Sequence, residues 1–208
     1  MDERLEKLLV ERYPEIFVDY KGDPMQTCMA WGMECQEGWF DIIDQCCSII
    51  QNNYKNALDN YRWKLERYNK SEEEVAKESE KYPHLNIQPL KEKPEKPEEP
   101  YQTTASQIKE KYGTLRFYTS GASDADDGAI DMAESMSCKI CEICGNPARV
   151  TGVGWFSCRC QRCEDISASD AEPEEKLRQF NEAAEAYIQR ILDGDARRKK
   201  RALEGWAM

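Results

Sequence analysis

The chain has 208 residues, 33% of them charged, and a formal net charge of −11. An acidic surface repels phosphate, so this composition argues against general nucleic-acid binding and suits a protein that meets basic surfaces on other proteins, a DNA mimic being the extreme case. The length allows one or two domains. The opening Met1-Asp-Glu-Arg-Leu is charged and lacks the apolar stretch of a secretory signal. No run of about 18 apolar residues is present to span a membrane, so a cytoplasmic protein is expected. Ten cysteines in that compartment imply metal or free thiols rather than disulfides.

There is one histidine, His84, beside Pro83 in a polar region. Any Ser-His-Asp or Cys-His arrangement would have to use it. A catalytic zinc site built on several histidines is excluded, as is the His-x-Glu deaminase signature. The phosphate-cradling Gly-x-x-x-x-Gly-Lys loop and the dinucleotide Gly-x-Gly-x-x-Gly turn are missing too.

Residues 2–12 read as an amphipathic helix, with Leu5, Leu8, Leu9 and Tyr13 at helical spacing and Pro14 closing it. Residues 16–37, with Met25, Met29, Trp31 and Met33, read as irregular chain covering the start of the next helix. That helix is expected over 38–80. Phe40, Ile43, Cys47, Ile50, Tyr54, Ala57, Tyr61, Leu65 and Tyr68 recur at steps of three and four, a single apolar seam. The seam needs a partner, either another helix of this chain or a second subunit, and it permits a homodimer through residues 40–68. The far end, Ser71-Glu-Glu-Glu-Val-Ala-Lys-Glu, is polar and is expected to project into solvent. Residues 83–100 carry Pro83, Pro89, Pro94, Pro97 and Pro100 among Lys and Glu and read as an extended spacer.

Residues 103–120 read as two strands around a turn at Gly113, although the first half also suits a helical turn. Leu115, Phe117 and Thr119 alternate with Thr114, Arg116 and Tyr118, the period of a strand. Residues 121–127 form a loop in which Ser123 or Asp124 caps a helix lined by Ile130, Ala133, Ser137 and Ile140.

This helix delivers the strongest motif. Two Cys-x-x-Cys pairs, Cys141/Cys144 and Cys160/Cys163, have fifteen residues between them. That spacing makes a tetrahedral zinc site, each pair gripping one metal from a tight turn. Gly145 stands where a knuckle turn needs positive φ. Cys138 shares the same spacing with Cys141, and Cys158 lies just before Cys160, so either could replace a ligand. Cys141, Cys144, Cys160 and Cys163 are preferred because Gly145 marks the knuckle. Four thiolates close the coordination shell, so the expected Zn²⁺ is structural and no catalytic residue is assigned. Between the pairs, Arg149-Val-Thr-Gly-Val-Gly-Trp155-Phe156-Ser reads as a β-hairpin. Knuckle, hairpin and a second pair at a helix start make a treble-clef-like finger. Arg149, Arg159, Arg162 and Trp155 leave open a finger that reads nucleic acid.

Pro173 opens the last helix, with a stripe of Leu177, Phe180, Ala184, Tyr187, Ile188 and Ile191 that Gly194 weakens. The basic run Arg197-Arg-Lys-Lys-Arg201 either binds phosphate or complements the helix C-terminus and continues as a solvated tail. Cys28, Cys35, Cys46 and Cys47 are too irregularly spaced for a second metal site and read as buried thiols. Asp41 and Asp44 read as first-turn carboxylates that complement the helix dipole rather than as an acid/base pair.

Three blocks in this order, Gly38-Trp39-Phe40-Asp41-Ile42-Ile43-Asp44, Gln107-Ile-Lys-Glu-Lys-Tyr-Gly113-Thr-Leu-Arg-Phe-Tyr118 and Cys141-Glu-Ile-Cys144-Gly145, resemble small uncharacterised proteins encoded by bacteriophages and prophages. The resemblance covers about a third of the chain and brings no activity or catalytic residue with it. It implies a phage accessory protein made in the bacterial cytoplasm, and blocking a host enzyme or defence complex is a common role for such proteins. The expectation is therefore an α+β chain, with a helical part over 1–82, a spacer over 83–100, and a small antiparallel sheet, treble-clef-like zinc finger and C-terminal helix over 101–208. Its expected function is non-enzymatic binding of a host protein complex, with the acidic stretch 59–80 docking on a basic surface. The alternative is a nucleic-acid-binding regulator using the finger and the tail.

Overall fold

The structure, a computed structural model, describes residues 1–70, 72–85 and 96–205. The middle of the expected spacer, 86–95, and the last residues of the tail lie outside them. In chain order the elements are α1 (Glu3–Arg12), α2 (Phe40–Asn69), α3 (Glu72–Lys81), β1 (Thr104–Lys111), β2 (Thr114–Ser120), α4 (Asp124–Ser137), β3 (Arg149–Thr151), β4 (Ser157–Arg159), α5 (Gln161–Ala168) and α6 (Pro173–Gly205). The class is α+β, with long helices, two small antiparallel hairpins and a cysteine finger.

The apolar seam of α2 divides in two. Phe40, Ile43, Cys47 and Ile50 are buried in the core. Tyr54, Tyr61, Leu65 and Tyr68, further along, are only half-buried. The partner that the first half requires is thus the chain itself. The one helix expected over 38–80 is two, because Lys70 turns to an extended backbone (ψ 143°). The seam ends at Tyr68, and among the described side chains of 74 and 76–81 none is buried to hold the helix on one axis beyond it. Lys70 Nζ reaches Glu66 at 3.2 Å and Glu78 at 2.7 Å, bringing α3 back towards the end of α2.

β1 and β2 close through Tyr112 and Gly113, both at positive φ (56° and 76°), the two-residue turn that matches strand twist. In β2 the alternation holds, with Leu115 and Phe117 buried. In β1 the buried residues, Ala105 and Ile108, are three apart, because a bulge between Ala105 and Gln107 inserts one residue and resets the face. The free edge of β1 is covered by the N-terminal segment: Glu34 N–H donates to Ile108 O, Glu110 N–H to Glu34 O, and Ala105 N–H to Ile16 O. Ser123 caps α4 in a capping box with Asp126.

The stretches 1–82 and 101–208 share one core. Leu5, Leu9, Ile16, Met29, Trp39 and Ile43 lie in the same buried cluster as Ile108, Leu115, Ile130, Cys158, Tyr187 and Ile188. Arg12 ties three helices at the surface of that core, pairing with Asp44 of α2 and Asp195 of α6 at 2.7 Å each and lying over the Phe40 ring. Gly194 does not interrupt α6, which continues through the basic run 197–201.

Candidate metal centre

α4 ends at Ser137, and the next residues turn into the first cysteine knuckle. The Cys141 N–H donates to Asn146 O and the Gly145 N–H returns to Cys141 O, closing the turn around Cys144. Gly145 has φ +69°, and a Cβ there would stand 2.3 Å from the Tyr187 ring of α6. The glycine is needed both for backbone sign and for close approach. The hairpin of β3 and β4 follows, pairing Arg149 with Arg159 and Thr151 with Ser157. Cys160 is the N-cap residue of α5 and Cys163 sits in its first turn, where the helix dipole favours thiolate.

These elements converge. The sulfurs of Cys141, Cys144, Cys160 and Cys163 all lie within 4.8 Å of one another. Cys144 Sγ is 3.6 Å from Cys160 Sγ and 3.7 Å from Cys163 Sγ. Sulfurs about 2.3 Å from a zinc ion in a tetrahedron are about 3.8 Å apart, so the spacing fits a bound zinc. It is far too long for a disulfide at about 2.05 Å. Cys141 and Cys163 are fully buried and Cys160 nearly so, against Ile143, Ala183, Ala184 and Phe180. Asn146 Nδ2 donates to Cys144 Sγ at 3.2 Å, a hydrogen bond that steadies a thiolate. With protons in place of metal, the group divides its charge unevenly. Hydrogen bonds from Cys141 and then Cys163 lower the Cys144 thiol, while sharing with Cys141 and Cys144 raises Cys163. A divalent cation held by Cys141, Cys144, Cys160 and Cys163 would take over the role of those shared protons and let all four sulfurs carry charge.

The two alternative ligands are placed elsewhere. Cys138 donates its S–H to Ser135 O, and Cys158 is buried in the main core. Among the described residues this is the only group of cysteines, histidines and carboxylates close enough to hold a metal. Cys35, Cys46 and Cys47 are buried and Cys28 is exposed. Burial pushes the Cys35 and Cys46 thiols up to about 12, the state of unreactive core thiols. His84 is exposed and stands edge-on to the Tyr82 ring. Asp41 and Asp44 are each taken up by an ion pair, with Arg190 at 3.1 Å and Arg12 at 2.7 Å.

The knuckle is clamped by residues whose role the spacing of cysteines does not reveal. Gly38 N–H donates to Glu142 O at 2.8 Å, and Trp39 Nε1 donates to Ile140 O at 2.9 Å. A Cβ on Gly38 would lie 2.1 Å from Cys141 O. The Asp41 N–H donates to Tyr187 Oη, which fixes the ring that packs on Gly145. The turn of β1 and β2 abuts the finger too, Gly113 lying against Val150 and Ser157. Residues 38–41 therefore clamp the knuckle itself, and the turn of β1 and β2 braces the hairpin that follows it. Beside it, Glu142 is buried; burial raises its carboxyl to about 7, opposed by Arg159, whose Nε is 3.5 Å away.

No helix among the described residues is long and apolar enough to cross a membrane. The four cysteines could hold a metal ion such as zinc, and the chain around them is mixed helix and small sheet. Comparison with family models, with curated proteins and with solved structures gives no match.

Proposed function

We propose that the chain is a non-enzymatic accessory protein of bacteriophage, stapled by a structural zinc ion in the host cytoplasm, that binds a host protein complex and inhibits or modulates it. Blocking a defence complex, CRISPR systems included, is the most specific form of this reading. The observation that carries it is a closed four-thiol site beneath an exposed hairpin tip. Four thiolates leave the metal no open position for substrate or water. The same site fixes the loop between β3 and β4, where Val153 and Trp155 are exposed and Phe156 partly so. Large apolar side chains grouped on a short, metal-anchored loop suit contact with another protein. The resemblance of the three blocks supplies the phage origin.

The test is capture of the zinc-loaded protein's partners from nuclease-treated bacterial lysate, with metal analysis of the bait. A stoichiometric protein partner, lost steeply as salt rises, and a single zinc ion per chain are expected. A bait without zinc, or with no protein partner, overturns the reading. One observation favours the nucleic-acid alternative. Arg197, Arg198 and Arg201 stand exposed near the end of α6, and no ion pair reaches them among the described residues. Charge reversal over 197–201 abolishes binding only in that case.

A further inference from the structure

We infer that the outer face of the β1–β2 hairpin docks an extended acidic segment of a partner protein, its carboxylates taken by Lys109, Lys111 and Arg116 beside the rings of Tyr112 and Tyr118. This rests on the interaction reading above and adds the chemistry of the partner.

The hairpin has two unlike faces. Ile108, Leu115 and Phe117 are buried in the core. Glu110, on the same side, accepts the Gly113 N–H and steadies the turn. The residues that alternate with these, Gln107, Lys109 and Lys111 of β1 and Thr114, Arg116 and Tyr118 of β2, lie on the other face. Tyr118 is 42% exposed there, and Tyr112 in the turn is 69% exposed.

In a chain of net charge −11, this face collects cations. The register sets Lys109 directly opposite Arg116. Like charges so placed destabilise a sheet. Arg116 has Glu134 at 3.3 Å to offset the repulsion. Lys109 and Lys111 make no ion pair among the described residues. Their ammonium groups lie over the rings of Tyr118 and Tyr112, 5.5 and 5.4 Å from the centroids. The hydroxyls of both tyrosines are also without a hydrogen-bond partner among the described residues. Ammonium groups that no carboxylate of the chain neutralises, on strands where cations face each other, break a local rule that an anionic partner explains.

The geometry selects a polypeptide as that partner. Lys109 and Lys111 are two residues apart on one strand, about 7 Å, the spacing of carboxylates on alternate residues of another extended chain. The tyrosine hydroxyls beside them are further donors to carboxylate oxygens. A lysine already lies over each ring and takes the face that a stacked base would use. Glu34, bridged to Lys109 at one edge, and Glu134, beside Arg116 at the other, bound the cations on both sides. A continuous phosphate chain would meet repulsion at each, whereas a short acidic segment ends where the cations end. The turn adjoins the exposed β3–β4 loop, Gly113 lying against Val150 and Ser157, which puts both surfaces within reach of one partner.

The experiment is an NMR titration of zinc-loaded, nitrogen-15-labelled full chain with the peptide acetyl-Gly-Glu-Thr-Glu-Thr-Glu-Gly-amide. Its glutamine counterpart and a short oligothymidylate serve as comparisons. The acidic peptide should move the amides of Lys109, Lys111, Arg116 and Tyr118 saturably, and the glutamine peptide should leave them in place. Lys111→Glu and Lys109→Gln should each weaken binding about tenfold with zinc content unchanged. Lys109→Gln also removes the like charge opposite Arg116, so its thermal midpoint should stay level or rise. A midpoint that falls makes Lys109 a structural residue and overturns the assignment. Shifts spread over the whole chain, binding that survives both substitutions, or an oligothymidylate that moves the same amides each overturn it too. A captured partner protein held as tightly by both variants overturns this face while the interaction reading stands. Peptide binding here, in a chain that captures no partner protein, keeps the face and removes the interaction reading.

Discussion

At the scale of single residues, the chain spends its least replaceable positions on close approach. Gly38 is the sharpest case. Its backbone is bonded to Glu142 O, and a methyl group there would overlap Cys141 O. The carbonyl cannot retreat without opening the knuckle, so Gly38→Ala should cost about 1–3 kcal/mol. Denaturant unfolding of the zinc-loaded protein measures it, and an unchanged midpoint would remove the clamp from the account. Asp126 shows the opposite economy, a charge kept inside by donors. It is buried and accepts from Asn53 Nδ2 at 2.9 Å, Thr103 Oγ1 at 2.8 Å and Ser123 Oγ at 2.8 Å. Burial works to raise its pKa, but the bonds from Asn53, Thr103 and Ser123 together outweigh it, so the folded-state value lies below the ordinary one. The ionised form is thus the one that stabilises. Its contribution is full above the unfolded pKa, about 3.9, and disappears as pH falls through the lower folded value. Asp126→Asn should lose about 1–3 kcal/mol at neutral pH and show a shallower decline of stability below about pH 4. A variant whose acid limb overlays that of the parent chain would show that Asp126 is not the group titrating there.

At the scale of elements, the finger is made of pieces too short to stand alone. β3 and β4 have three residues each and α5 has eight, below the length at which isolated strands or helices persist in water. The thiol cluster holds them. Cys163→Ala should therefore abolish zinc binding and remove amide-exchange protection from β3, β4 and the start of α5. Cys138→Ala should keep both, since among the described residues that thiol bonds only to Ser135 O. Metal analysis with hydrogen exchange decides the ligand set, and zinc retained in Cys163→Ala would reassign it. The same contrast explains what could be read in advance. Features with a local cause were legible: the x-x spacing of the thiols, the α1 stripe, the β2 alternation, the serine cap of α4 and the turn at Gly113. Features set by distant contacts were not. The break at Lys70 follows from where the seam stops finding core. The three-residue burial step in β1 follows from a bulge. The cover of β1 by Ile16 and Glu34 follows from pairing across about 75–90 residues of sequence. Gly38, Trp39 and Tyr187 gave no cysteine-like signature, although the first two lie in a block singled out by resemblance.

At the scale of the whole molecule, the stretches before and after residues 83–100 do not form two cores. Trp39 is fully buried and bonded to Ile140 O, while Ile108 and Leu115, from beyond the spacer, are also fully buried. Within 101–208, the surfaces left bare by removing residues 1–82 would include the β1 edge that Glu34 and Ile16 now pair, and the knuckle face that Gly38 now covers. Two unpaired backbone edges and the exposed partners of Trp39 and Ile43 are more than the few thiol–metal contacts can offset in a fragment of that size. The fragment 101–208 should bind zinc yet lack near-ultraviolet circular dichroism and a cooperative thermal transition. The full chain should unfold in one transition whose midpoint falls when the metal is chelated, because the knuckle is part of the shared core. A cooperative fragment would divide the chain at the spacer. A full chain whose midpoint ignores chelation would detach the metal from the fold. If instead the two behave as expected, a partner that grips the hairpin tip and one that grips the helical face act on the same folding unit, and the thiol cluster sets the stability of both surfaces together.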